Sequence, residues 1–158
     1  MKSNPKILFT MTLLLALMAL ATAQSAPTKR LVNVDSDGVA LLGYDPVAYF
    51  TQGKPVRGSE RIVSRHEGAV YRFASQEHKD LFDAEPHKYA PQYGGFCGYA
   101  VSRGYTAKIS PDAFLITPDG RLVLQYDRSV LKKWNADPHN NLRKADENWP
   151  SIALKHGK

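Results

Sequence analysis

The residues able to do chemistry are few in this chain. Cys97 is its one cysteine, and its histidines are His66, His78, His87, His139 and His156. A lone cysteine cannot close an internal disulfide. Cys97 therefore packs as a small hydrophobe, a common fate of free cysteine, or ligates a metal as a thiolate, or acts as a redox-active or intermolecular thiol. It sits at the centre of Pro91–Tyr105, PQYGGFCGYAVSRGY, where Tyr93, Phe96, Tyr99 and Tyr105 interleave with glycines. Glycine lets backbones approach closely and aromatic rings bury large areas. The segment is expected to be tightly turned and packed into the core.

His78 is the second candidate. Ser75 is placed to cap a helix running to about Glu85 and ending at Pro86, and Glu77 suits the positive end of its dipole. His78 lies in the first turn, where the dipole favours the neutral, metal-binding ring. It shares a face with Leu81, Phe82 and Glu85, so it is expected to point inward. A core histidine hydrogen-bonded to backbone is the plainer use. The sharper one pairs it with Cys97 as a soft site for copper or zinc. Closed zinc sites take four ligands, and beyond Met1, Met11 and Met18 the chain has no methionine to complete a thioether set. Asp45 and Tyr44 are polar groups that could line the same pocket. His66 and His87 are expected on the exposed surface, with no role for His139 or His156. A Cys97–His78 dyad for thiol chemistry is the rival reading. No acid pair, Ser–His–Asp pattern, CxxC, HExxH or phosphate loop accompanies it, and Ser75 and Ser102 have local uses as a cap and a turn residue.

These side chains need a scaffold. Arg61–His66 and Val70–Phe73 flank Glu67-Gly68-Ala69 and predict a β-hairpin, with Tyr71 and Phe73 on its buried face. The capped helix follows, then a short turn of helix over Pro86–Tyr89. Ala113–Thr117 and Arg121–Tyr126, around Pro118-Asp119-Gly120, predict a second hairpin. Asp127 or Ser129 caps a helix bearing Val130, Leu131 and Trp134. Asp137-Pro138 opens the last helix, with proline at its first position; Leu142, Ala145 and Trp149 share a face, and Pro150 is expected to end it. Leu31–Val34 could form a first strand, followed by a turn over Asp35–Gly38. The fold class is α+β: one small domain of two β-hairpins, a central short helix and two C-terminal helices.

The N-terminus reads as a secretory signal over residues 1–23: Lys2 and Lys6, the apolar run Ile7–Ala21, and the small-residue site Ala21-Thr22-Ala23. The run is shorter than the roughly 20 residues that span a bilayer. The mature chain is thus expected to be soluble, without a membrane span, and periplasmic or secreted. Loss of Lys2 and Lys6 lowers the formal charge from +6. The remaining surplus is scattered and interleaved with acids, so no nucleic-acid partner is expected. Residues 24–42 form a leader and first strand, and residues 43–152 the domain proper.

Asp45-Pro46-Val47, Val70–Ser75 (VYRFAS) and Phe82–Tyr89 (FDAEPHKY) together resemble the YHS domain, a small module related to treble-clef metal-binding fingers. Tyr93-Gly94-Gly95-Phe96-Cys97, with Trp134 and Trp149, is similar to an exported branch of that family. The core likeness spans residues 43–90 and the branch extends it to about residue 152. The resemblance implies a YHS-like core and a metal-binding ancestry. Where the metal-binding form carries cysteines, this chain has Ala48, Ala74 and His78, so only His78 keeps ligand chemistry. The function expected is an exported, non-catalytic binding module for a metal ion, copper or zinc, through Cys97 and His78. The alternatives are a thiol-based redox or nucleophilic enzyme using Cys97, and a structural or interaction module in which Cys97 only packs.

Overall fold

The computed structural model describes residues 31–156. The expected signal, residues 1–23, lies outside the described residues, as do residues 24–30. The fold is α+β, with two two-stranded antiparallel sheets and short helices around them.

Strands β1 (Ser59–His66) and β2 (Ala69–Phe73) form the first hairpin, with Ser64 opposite Tyr71 and His66 opposite Ala69. The loop is only Glu67-Gly68, both at positive φ (51° and 84°), the backbone of a two-residue type I′ turn. Along β2, Ala69, Tyr71 and Phe73 are buried while Val70 and Arg72 are half-buried, the period-2 pattern expected. The second hairpin pairs β3 (Ser110–Ile116) with β4 (Leu122–Gln125), Phe114 facing Leu124. Every residue of β4 is buried, because this strand is covered on both faces.

Helix α1 (Ala48–Thr51) precedes the first hairpin. Helix α2 (Gln76–Ala84) starts as expected, with the Ser75 hydroxyl accepting from the His78 N–H at 3.1 Å. Pro86 then opens α3 (Pro86–Tyr89). Helix α4 (Gly98–Ser102) follows Cys97, and α5 (Arg128–Asn135) is capped by Asp127, which accepts from the Val130 N–H at 2.8 Å. Helix α6 (Pro138–His156) is the longest element described. Among the described residues no helix is long and apolar enough to cross a membrane.

Two expectations are corrected. The first strand is not formed: Val34 and Val39 make only isolated bridges, to Ala40 and Val70. The Asp35 carboxylate accepts from the N–H groups of Asp37 and Val39 and curls the segment, and Leu41 and Leu42 take positive φ. Pro150 does not end the last helix, which continues to His156 with the proline inside. Proline there removes a hydrogen bond. Packing compensates, because Trp149 and Ile152, on either side of it, both join the cluster around Trp134.

Three packed clusters form the core. The first gathers Val47, Tyr71, Phe73, Phe82 and Tyr89. The second surrounds Cys97 with Leu41, Tyr49, Leu122 and Leu124. The third joins Tyr93, Val101, Val123 and Trp134 to the last helix. Gly98 stands between the second hairpin and α5. A Cβ there would lie 2.6 Å from Val123 Cγ1 and 3.2 Å from the Trp134 ring. Val123 is fully buried and cannot move aside. Gly98→Ala is therefore expected to cost about 1–3 kcal/mol through overpacking, read as a lower denaturation midpoint at unchanged m-value; an unchanged midpoint would refute this packing.

Candidate functional site

The structure puts Cys97 and His78 to separate uses. Cys97 is 1% exposed. Its thiol donates to Gln125 Oε1 at 3.4 Å, and the same oxygen accepts from the Tyr99 N–H at 3.0 Å. The Cys97 carbonyl accepts from Val101 and so starts α4. Burial pushes the thiol above its ordinary pKa, with backbone hydrogen bonds opposing in part. That is the reverse of an activated nucleophile, whose thiolate is stabilised near cations or a helix N-terminus.

His78 does point inward, at 8% exposure. Its partner is Asp45: Nδ1 lies 2.7 Å from Asp45 Oδ2, while Nε2 is 3.3 Å from the Thr51 hydroxyl. Both ring nitrogens are thus engaged, and neither His78 nor Cys97 is the other's hydrogen-bond partner. Asp45 is fully buried and accepts from three backbone N–H groups as well. Val47 and Ala48 donate to Oδ1 at 2.8 and 3.3 Å, and Ala74 donates to Oδ2 at 2.8 Å. One carboxylate thereby ties the start of α1, the end of β2 and the first turn of α2. Tyr44, the other polar neighbour, packs against the cluster that holds Cys97 and carries the Arg57 guanidinium 4.5 Å over its ring.

Reactive side chains converge elsewhere, in a cleft of about 460 Å³ between the first hairpin, α3, the 92–95 turn and α6. Tyr71, Tyr93, Trp149 and Leu154 supply apolar walls, and His66, Glu67 and His87 lie along its lining. The expected exposure holds for His87 but not for His66, whose side chain is only 15% exposed. His66 packs edge-on against Phe82, with centroids 5.8 Å apart, and against His87 at 5.0 Å. One ligand atom from each of His66, Glu67 and His87 falls within 4.8 Å of the others, the one such group of three among the described residues. His139 is exposed and stands outside this group.

The cleft is firmly framed. Tyr93 takes φ 55°, and Gly94 beside it takes 58°; a Cβ on Gly94 would meet the Leu31 carbonyl at 2.2 Å. That close approach brings residues 31–33 against the turn, where the Asn33 N–H donates to the Gly94 carbonyl at 2.8 Å. The Tyr93 hydroxyl donates to Asp146 at 2.7 Å, and Arg121 reaches the same carboxylate at 2.9 Å. Burial is the main cause that pushes the Tyr71 and Tyr93 hydroxyls well above the ordinary phenol range, reinforced at Tyr93 by the bond to Asp146.

The sequence pointed past this cleft. Glu67 read only as a turn residue, and positions 66, 67 and 87 match no metal-ligand spacing. A glutamate at the first position of a two-residue Glu-Gly loop was the available signal, because that position takes φ above zero and prefers asparagine, aspartate or glycine.

Two outcomes follow. Asp45→Ala leaves several buried donors without an acceptor and is expected to destabilise the protein by about 3–5 kcal/mol; a loss below about 1 kcal/mol in denaturant titration would contradict the assigned network. Cys97 should react with a thiol reagent far more slowly in the native protein than in urea, and labelling at the unfolded rate would show that it is accessible. No family model matches the chain, and neither a curated protein nor a solved structure matches it.

Proposed function

We propose that this chain is an exported, non-catalytic binding module that works through the cleft beside the first hairpin, while Cys97 and His78 serve its fold. The carrying observation is the convergence of His66, Glu67 and His87 on one aromatic-walled cleft. Its volume lies in the range of sites that hold small ligands, and an apolar lining with a few convergent polar groups is their usual make-up. A copper or zinc ion, the ligand class expected from the sequence, suits imidazole donors, and moves in this reading from Cys97 and His78 to the cleft. The leader over residues 1–23 supports export.

The YHS-like reading has support of its own. The three positions where the metal-binding form of that module carries cysteines are Ala48, Ala74 and His78, and all three donate hydrogen bonds to Asp45. In this reading a carboxylate–imidazole pair occupies the place of the ancestral metal site, and the fold is kept without the ion. The thiol-enzyme alternative is disfavoured by the burial and raised pKa of Cys97.

The test is native mass spectrometry with elemental analysis on protein purified from its own cell envelope. A stoichiometric non-covalent adduct is expected, lost in Ala153→Trp, which plugs the cleft wall, and kept in Cys97→Ala. An adduct that survives the plug and disappears with Cys97 would overturn the proposal.

A further inference from the structure

We infer that His66, Glu67 and His87 form a three-ligand site for a divalent first-row transition ion, with its open coordination position facing the cleft. This rests on the reading of the cleft as the binding site and gives it an ion and named ligands.

The local structure explains how residues so spaced meet. On a continuous strand, neighbours point to opposite faces, so His66 and Glu67 could not share a ligand. The chain turns at Glu67 instead. Its φ of 51° breaks the alternation and brings its carboxylate within 3.7 Å of His66 Nε2. That conformation favours residues without a Cβ, and Glu67 adopts it all the same. His87 arrives from the other side on α3, at whose start Pro86 fixes the backbone. The His66 and His87 rings stand at 74° to one another, so their nitrogens can approach one point from two directions.

Donor chemistry selects the ion. Ligand atoms on one tetrahedral zinc, each about 2 Å from the metal, lie roughly 3.3 Å apart. The three atoms here lie within 4.8 Å of one another, so closing on one ion calls for an approach of up to about 1.5 Å, and His87, the exposed member, is the one at the surface. Two imidazoles and one carboxylate suit zinc or copper(II) rather than calcium or magnesium, which take oxygen ligands. Without a thiolate the site has no particular preference for copper(I). Three protein ligands leave a fourth position open, and the aromatic walls of Tyr71, Tyr93 and Trp149 surround that side.

The experiment is calorimetric titration of the purified chain with zinc and with copper(II), with cobalt(II) spectra in parallel. One ion per chain is expected. Affinity should fall at least tenfold in His87→Ala and in Glu67→Gln and stay unchanged in Cys97→Ala. The cobalt spectrum should lack a thiolate-to-metal charge-transfer band. His87 is exposed, so its variant is expected to fold, which circular dichroism checks. Absence of metal binding by the folded protein would overturn the inference. So would wild-type affinity in His87→Ala, or a thiolate band lost with Cys97. If a metal-free adduct still occupies the cleft and is displaced by Ala153→Trp, the triad fails while the cleft reading stands.

Discussion

The architecture turns on one buried carboxylate. Asp45 takes no solvent, yet both its oxygens are filled by donors from three separate segments. A buried charge is tolerable only when its acceptor sites are satisfied this fully. The arrangement couples three segments: α1, the end of β2 and α2 each supply a donor, and loss of any one leaves the carboxylate short of a partner. The first hairpin, from which the cleft is built, is thereby held at its far end by electrostatics and along its buried face by Tyr71, Phe73 and Phe82.

Much of this was legible because it is local. The Ser75 cap, the Pro86 start, the turn residues of both hairpins and the Asp127 cap are signals that act within a few residues, and the backbone follows them. What escaped was decided by contacts distant in sequence. Pro150 breaks helices on local grounds, but Trp149 and Ile152 find partners in the third cluster and carry α6 through. The first strand failed for the opposite reason, since the Asp35 side chain offered the backbone a tighter alternative. Asp45 sat in plain view within Asp-Pro-Val, yet nothing near it announces that residues 74 and 78 will be its partners.

The partners of the candidate side chains were hard to read for the same reason. Residue type drew attention to Cys97 and His78, whose direction was correctly inferred as inward. An inward direction does not name the partner, and each met a hydrogen-bonding side chain, Gln125 and Asp45 respectively. Conversely, His66 and His87 belong to different elements whose meeting depends on how α3 folds back over the hairpin. The same side of the molecule is braced by the Tyr93–Asp146–Arg121 group, which links the 92–95 turn, the second hairpin and α6. Occupancy of the proposed cleft is therefore linked to the seating of the C-terminal helix, because Trp149 and Leu154 on that helix form part of its wall.

The seclusion of Cys97 also has a kinetic side. The native thiol is shut away by packing and not by a covalent partner, so its chemistry belongs to the open chain alone. An oxidant can reach it before folding closes over it, and afterwards only in the rare moments when the second cluster opens. How long the protein stays chemically intact is then set by its unfolding rate and by how quickly it first folds. A fold without crosslinks needs no oxidising catalyst to form. It does need speed, since each second spent unfolded is a second in which its one sulfur is open to capture.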